Sequence, residues 1–173
     1  MSSTNATALS VGVLAGLSIY LADLVDIPPW LTFLAWLTVY FCGGGREGVR
    51  LQVTNNLWGV LVGAAALWVL AEAATGLWLT AVALGVAAFV IAQSARFGPL
   101  SQTPAGFVGL AMAAAAAQVA PVAITDGSRH NPVLVAVGAV VLGSLLALAS
   151  DLLSSILSGD RPRSEAAEFG AVD

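Results

Sequence analysis

The chain has 173 residues, 58% of them hydrophobic and only 9% charged, with a mean hydropathy of +0.91 and a formal net charge of −4. A soluble domain carries about 25% charged residues, so a soluble fold of this length is excluded, and the apolar runs are long enough to cross a bilayer. All six basic residues are Arg and form no run, which removes nucleic acid as a partner. The single cysteine, Cys42, excludes an intrachain disulfide and leaves no basis for a cysteine metal site.

Residues 1–6 are a polar N-terminal cytoplasmic tail without the positive charge of a signal peptide, so the first helix is expected to stay as a spanning segment. It runs from about Thr7 to Leu24. Gly12 and Gly16 form a small-xxx-small pair that lets another helix approach closely, and Asp23 and Asp26 mark its exit into water. Pro28-Pro29 then open an apolar segment, Trp30 to Cys42, that is short for its task. As a helix it would be roughly 20 Å long, against a hydrocarbon core of about 30 Å. Gly43-Gly44-Gly45 close it and, with Arg46-Glu47-Gly48, form a hydrophilic turn.

The third helix is expected from about Val49 to Ala71, beginning with Gln52, Thr54, Asn55 and Asn56 before turning wholly apolar. Glu72 to Gly76 is a short loop, and the fourth helix is Leu77 to Ser94. After the loop Arg96–Gln102, Thr103-Pro104 reads as an N-cap followed by proline at the first helical position. These open a short, alanine-rich fifth helix ending at Pro121. The loop Ile124–Asn131 holds Asp126, Arg129 and the only histidine, His130. The sixth helix runs from Pro132 to about Leu157, and 159–173 is a disordered acidic cytoplasmic tail.

With six crossings, Arg46, Arg50, Arg96, Arg161 and Arg163 fall on one side and only Arg129 on the other, so the positive-inside rule places both termini in the cytoplasm. Were the two short segments re-entrant loops, this bias would reverse; both are therefore expected to cross. Each half, about 7–73 and 75–158, holds a long segment, a short one opened by proline, and a long one. The expected fold is an all-α polytopic membrane protein of six transmembrane helices in two inverted three-helix repeats, with short second and fifth helices. In such layouts the interrupted segments point to the binding site or pore; the plainer alternative is that any two apolar triplets align this loosely.

The membrane region has almost no ionisable groups and none at its centre; Asp23, Glu72 and Asp151 sit at predicted ends. That argues against a midplane carboxylate carrier and an intramembrane aspartyl protease, and no zinc-protease, Ser/His/Asp or phosphate-loop pattern is present. No enzyme activity, cofactor or metal is expected. Neutral polarity remains. Asn55, Gly59 and Gly63 share one face of the third helix, with Gln52 a turn earlier, so Asn55 should point into the bundle. Interhelical amide bonding is the first reading for such a residue and solute binding the second. The candidate pore or solute-binding set is Thr38, Tyr40, Gln52, Asn55, Asn56, Thr103 and Gln118. Thr38 is expected to bond its own backbone, Tyr40 to anchor at the interface, and Gln118 to lie near the outer end of the fifth helix. Gly12, Gly16, Gly59, Gly63, Gly106, Gly109 and Gly143 are the expected helix-packing glycines. Trp36 and Trp58 are expected within the bundle. The proline-bearing ends near Pro29 and Thr103-Pro104 should each abut a wet cavity, because helix ends leave N–H groups unpaired.

The run Trp30…Phe33…Tyr40-Phe41…Gly44-Gly45…Gly48, followed by Gly59 in a small-residue helix and by Pro104…Phe107…Gly109 before alanines, resembles the domain-of-unknown-function 1097 family of small bacterial inner-membrane proteins. The resemblance covers most of residues 8 to 158 and omits the tail. It implies a multi-helix inner-membrane protein and carries no activity. The layout with short helices is also similar to one half of urea channels, at the level of fold alone. Together these readings lead to a channel or facilitator for a small neutral or weakly polar solute of urea or amide type. It would lie in the bilayer as a homo-oligomer, with a trimer as the working size. The alternative is a non-transporting membrane scaffold or assembly protein.

Overall fold

The computed structural model describes residues 1–73 and 76–159; the expected acidic tail beyond 159, with Arg161 and Arg163, lies outside the described residues. Among them the chain forms six α-helices and no strand: α1 (Ser3–Leu24), α2 (Pro29–Phe41), α3 (Gly45–Glu72), α4 (Leu77–Ser94), α5 (Thr103–Val119) and α6 (Pro132–Ser158). A one-turn 3₁₀ helix, Gly98–Leu100, precedes α5. Four helices, α1, α3, α4 and α6, are long and apolar enough to cross a membrane; α2 and α5 are the shorter apolar pair. Their outward faces carry large apolar side chains such as Leu17, Leu77, Trp78, Phe89 and Ile156. This is the exterior of a membrane-embedded bundle, with hydrocarbon in place of water as the solvent.

Two boundaries differ from expectation. The N-terminal tail is shorter, because α1 starts at Ser3 with the Ser2 hydroxyl accepting from Asn5 N. More consequentially, Arg46-Glu47-Gly48 are not part of a turn but the first turn of α3. The reversal runs over Cys42–Gly45, where Gly43, Gly44 and Gly45 take φ of 95°, 72° and 58°. Only glycine enters that region at little cost, so the chain turns within this glycine run. The new helix start is then capped from elsewhere: Gly45 N donates to Asp151 Oδ2 at 3.0 Å. A carboxylate there meets the positive end of the α3 dipole. Gly48 lies so near the end of α2 that a Cβ on it would stand 2.9 Å from the Val39 carbonyl oxygen.

The core lies between α2, α3, α5 and α6. It is built from Ile27, Leu31, Ala35, Val60, Met112, Ala113, Ala116, Ala136, Ala139 and Val140. Helices α1 and α4 are peripheral, α1 against α6 and α4 against α3. The most extensive pairings join the first half of the chain to the second: α3 with α5, and α2 with α6. Both are parallel. Gly59 meets Gly106 and Gly63 meets Ala113, while Thr32 meets Gly143 and Tyr40 meets Ser150.

Glycine decides how near these pairs come. A Cβ on Gly59 would collide with the Gly106 carbonyl oxygen, and one on Gly109 with the Asn56 carbonyl oxygen. One on Gly143 would lie 2.5 Å from the Thr32 carbonyl oxygen. Gly106 faces Ile91 of α4. By contrast Gly12 and Gly16 have nothing within 4 Å, so they pack no helix of their own chain.

Candidate functional site

Three neutral polar clusters lie along the bundle. The innermost is on α3. Gln52, Asn55 and Asn56 are each no more than 1% exposed. Two of them, Gln52 and Asn56, stand one turn apart and face partner helices. Ser144 Oγ of α6 lies 2.7 Å from Gln52 Oε1, and Asn56 Nδ2 points at Met112 Sδ of α5 at 3.9 Å. Thioether sulfur is a weak acceptor. Gln52 Nε2 and Asn56 Oδ1 have no partner at all. A buried polar atom without a hydrogen bond costs about 1–3 kcal/mol, so each is an expense that local packing does not recover.

Asn55 belongs to a second cluster. Its Nδ2 donates to Leu51 O at 2.8 Å and Pro99 O at 3.1 Å, and its Oδ1 accepts from Gln102 N at 3.2 Å. One amide thus fastens the whole α4–α5 loop. Gln102, not Thr103, is the N-cap of α5 and offers no side-chain cap bond. Asn55 meets the backbone there in its place, and Thr103 becomes the first helical residue. From the meeting of Gly59 with Gly106, α5 starts about 16 Å along α3, at about 1.5 Å per residue. By the same measure α2 starts about 12 Å along α6. The two short helices are thus inset from opposite ends of the bundle.

Those two inset ends differ. Pro28 and Pro29, the N-cap and first residue of α2, line an open groove together with Ile27, Tyr20, Asp23, Asp26 and His130. At its rim Arg129 pairs with Asp26 at 3.0 Å. At the start of α5, Asn55 holds Pro99 O and Gln102 N, while Thr103 is half-buried and Pro104 exposed.

The third cluster is a hydroxyl seam joining α1, α2 and α6. Ser10 Oγ bonds Ser150 O and Oγ at 3.0 Å each, Tyr40 OH donates to Ser150 Oγ at 3.2 Å, and Trp36 Nε1 donates to Tyr40 OH at 3.2 Å. Tyr40 is 39% exposed. Thr38 is buried and bonds Leu34 O of its own helix at 2.5 Å. Gln118 is exposed, its nearest partner Ala114 O at 3.5 Å. Thr38, Asn55 and Gln118 therefore do not line one cavity. Trp36 is buried and Trp58 half-buried, its Nε1 donating to Ser94 Oγ at 2.9 Å.

Sequence reasoning missed Ser144, Ser150, Ser10, Pro99 and Asp151 as partners. The serines carried a signal, small hydroxyls inside apolar helices; the others became visible only through contacts across the fold. Among the described residues no three of His, Cys, Asp and Glu gather closely enough to hold a metal ion.

With this geometry in view, the chain can be compared with known proteins. A family model described as "Protein of unknown function (DUF1097)" matches residues 8–155. The chain belongs to that family. The match covers every helix described above save the outermost turns of α1 and α6. Comparison with curated proteins and with solved structures finds no match.

Proposed function

We propose that this protein is a facilitator for a small neutral polar solute, of urea or amide type, in the cytoplasmic (inner) membrane. The observation that carries this reading is the kind of polarity inside the bundle. Every buried polar side chain among the described residues is uncharged, and two of them are amides with an unpartnered atom. Ionisable side chains in the membrane interior mark proton relays and the paths of charged substrates; a neutral solute needs donors and acceptors alone. The interior is packed, which favours a site occluded at rest and opened by helix movement.

Six crossings in two inverted repeats, α1–α3 and α4–α6, fit this reading. Exchanging α1 with α4, α2 with α5 and α3 with α6 carries the pattern of helix pairings onto itself. The fourth residue of each short helix, Thr32 or Gly106, meets a glycine of its long partner in both halves. Substrate sites of such proteins lie where the repeats meet. Arg46, Arg50 and Arg96 on one end, against Arg129 on the other, support cytoplasmic termini. The open face at Gly12 and Gly16 supports a homo-oligomer, with a trimer as the working size.

The test is stopped-flow light scattering on proteoliposomes with urea, acetamide, glycerol and sodium chloride. Urea and acetamide should enter faster than into empty vesicles while salt does not; no acceleration for any solute sinks the proposal. One observation favours a second reading, a non-transporting scaffold or assembly protein: the Asn55 amide is wholly spent on fastening a loop. That reading expects the null result.

A further inference from the structure

The unpartnered atoms of Gln52 and Asn56 have a definite hydrogen-bonding character, set by Ser144. Its hydroxyl lies 2.7 Å from Gln52 Oε1 and 2.6 Å from Val140 O. A hydroxyl has one proton to donate, and both neighbours as placed are acceptors. If the proton goes to Val140 O, the usual bond of a helical serine to its preceding turn, two oxygens face each other at Gln52. Turning the Gln52 amide over resolves this: Nε2 then donates to Ser144 and Oε1 becomes the free atom. The two amide orientations have the same shape and differ only in their bonds.

Asn56 is oriented by a weaker partner. Its Nδ2 is directed at Met112 Sδ, and the reverse would set a carbonyl oxygen against the sulfur lone pairs. In this orientation the pair presents the Asn56 carbonyl as an acceptor. One turn before it on α3 stands a Gln52 atom that is a donor in one orientation and an acceptor in the other. Residues at i and i+4 hold their Cβ atoms about 5–6 Å apart, a span that one small molecule bridges.

We propose that Gln52 and Asn56 form a binding site for a small uncharged molecule carrying N–H donors next to a carbonyl, a primary amide or urea, with Ser144 setting which end of Gln52 meets it. An N–H of the ligand donates to Asn56 Oδ1. Its carbonyl accepts from Gln52 Nε2, or, when that amide turns over, a second N–H donates to Gln52 Oε1. No charged side chain is among the buried ones of the described residues, so a cation or carboxylate ligand would keep its charge uncompensated. The inference deepens the facilitator reading and rests on it for the ligand's route, though not for its binding.

Leucine at either position tests the site. If these amides served packing, removing them would weaken the fold; as unpartnered groups, they should be replaceable with stability unchanged or raised. The expected result for Gln52→Leu and Asn56→Leu is an unchanged or higher SDS-unfolding midpoint. Urea and acetamide flux in proteoliposomes should fall about tenfold or more, the worth of one good hydrogen bond. Acetamide should also raise the unfolding midpoint of the unsubstituted protein and not of Asn56→Leu. Gln52→Met, unbranched and of similar length, serves if leucine is not accepted.

Flux that survives both substitutions overturns the site and leaves the facilitator reading standing. An acetamide effect abolished by Asn56→Leu without any flux supports the site and removes the facilitator reading. Water permeability alone, with neither amide flux nor an acetamide effect, overturns the assignment and leaves the pair as the seat of a resident water.

Discussion

Asn55 shows how much one amide carries in this bundle. All its hydrogen-bonding groups are engaged, and the bonds to Pro99 O and Gln102 N bridge from α3 to a loop more than forty residues on. Replacing it with leucine preserves volume and removes every bond, leaving the start of α5 without a cap. We expect Asn55→Leu to lower stability by about 1–3 kcal/mol, in contrast to the neutral or positive effect at Asn56, one residue away. SDS unfolding of the two variants side by side checks this. The sequence placed Asn55 inside the bundle because it shares a face with Gly59 and Gly63. It could not name the partners, since an amide's donors and acceptors are met by whatever the fold brings near. Thr103 was misplaced as a cap for a related reason: capping from a distant side chain leaves no local pattern. Tyr40 is partly exposed and bonds Trp36 within α2, but its bond to Ser150 depends on α6, which no local reading supplies.

At the level of elements, the helices were readable because prolines open α2, α5 and α6 and glycines close α2, punctuation that works through local φ and N–H chemistry. The start of α3 was not readable. Arg46-Glu47-Gly48 look like a hydrophilic turn, and only the tight reversal at Gly43-Gly44 together with Asp151 makes them helical. The glycines were identified by type and not by partner. Gly109 and Gly59 sit where α5 lies backbone to backbone on α3, so alanine there must push the helices apart. Gly109→Ala is expected to destabilise by about 1–3 kcal/mol, the usual cost of overpacking a core. Gly12→Ala has open space and should leave the protomer's unfolding unchanged. If Gly12 and Gly16 bind a second copy, Gly12→Leu should lower the mass of the purified particle in light scattering; an unchanged mass removes that face from the oligomer.

At the level of the whole molecule, the two halves of the chain are laced together. Helix α2 of the first half rests on α6 of the second, and α5 of the second on α3 of the first. Hydropathy reports length and composition of spans, so the number of helices was legible and this lacing was not; it depends on which glycine faces which carbonyl.

The lacing also governs how the protein can be made. A ribosome that has delivered α1 to α4 has delivered Gln52, Asn55 and Asn56 without Ser144, Pro99, Gln102 or Met112. In hydrocarbon those amides then lack their partners from the second half, and Asn55 keeps only its bond to Leu51 O. The nascent first half should therefore be short-lived, degraded or held by an insertion factor until α5 and α6 arrive. Expressed alone, residues 1–73 should not accumulate; expressed together with a separate chain from residue 76 onward, they should be protected and co-purify. Stable accumulation of the first half by itself, seen in a pulse-chase, would mean that its amides find other partners before the second half is born.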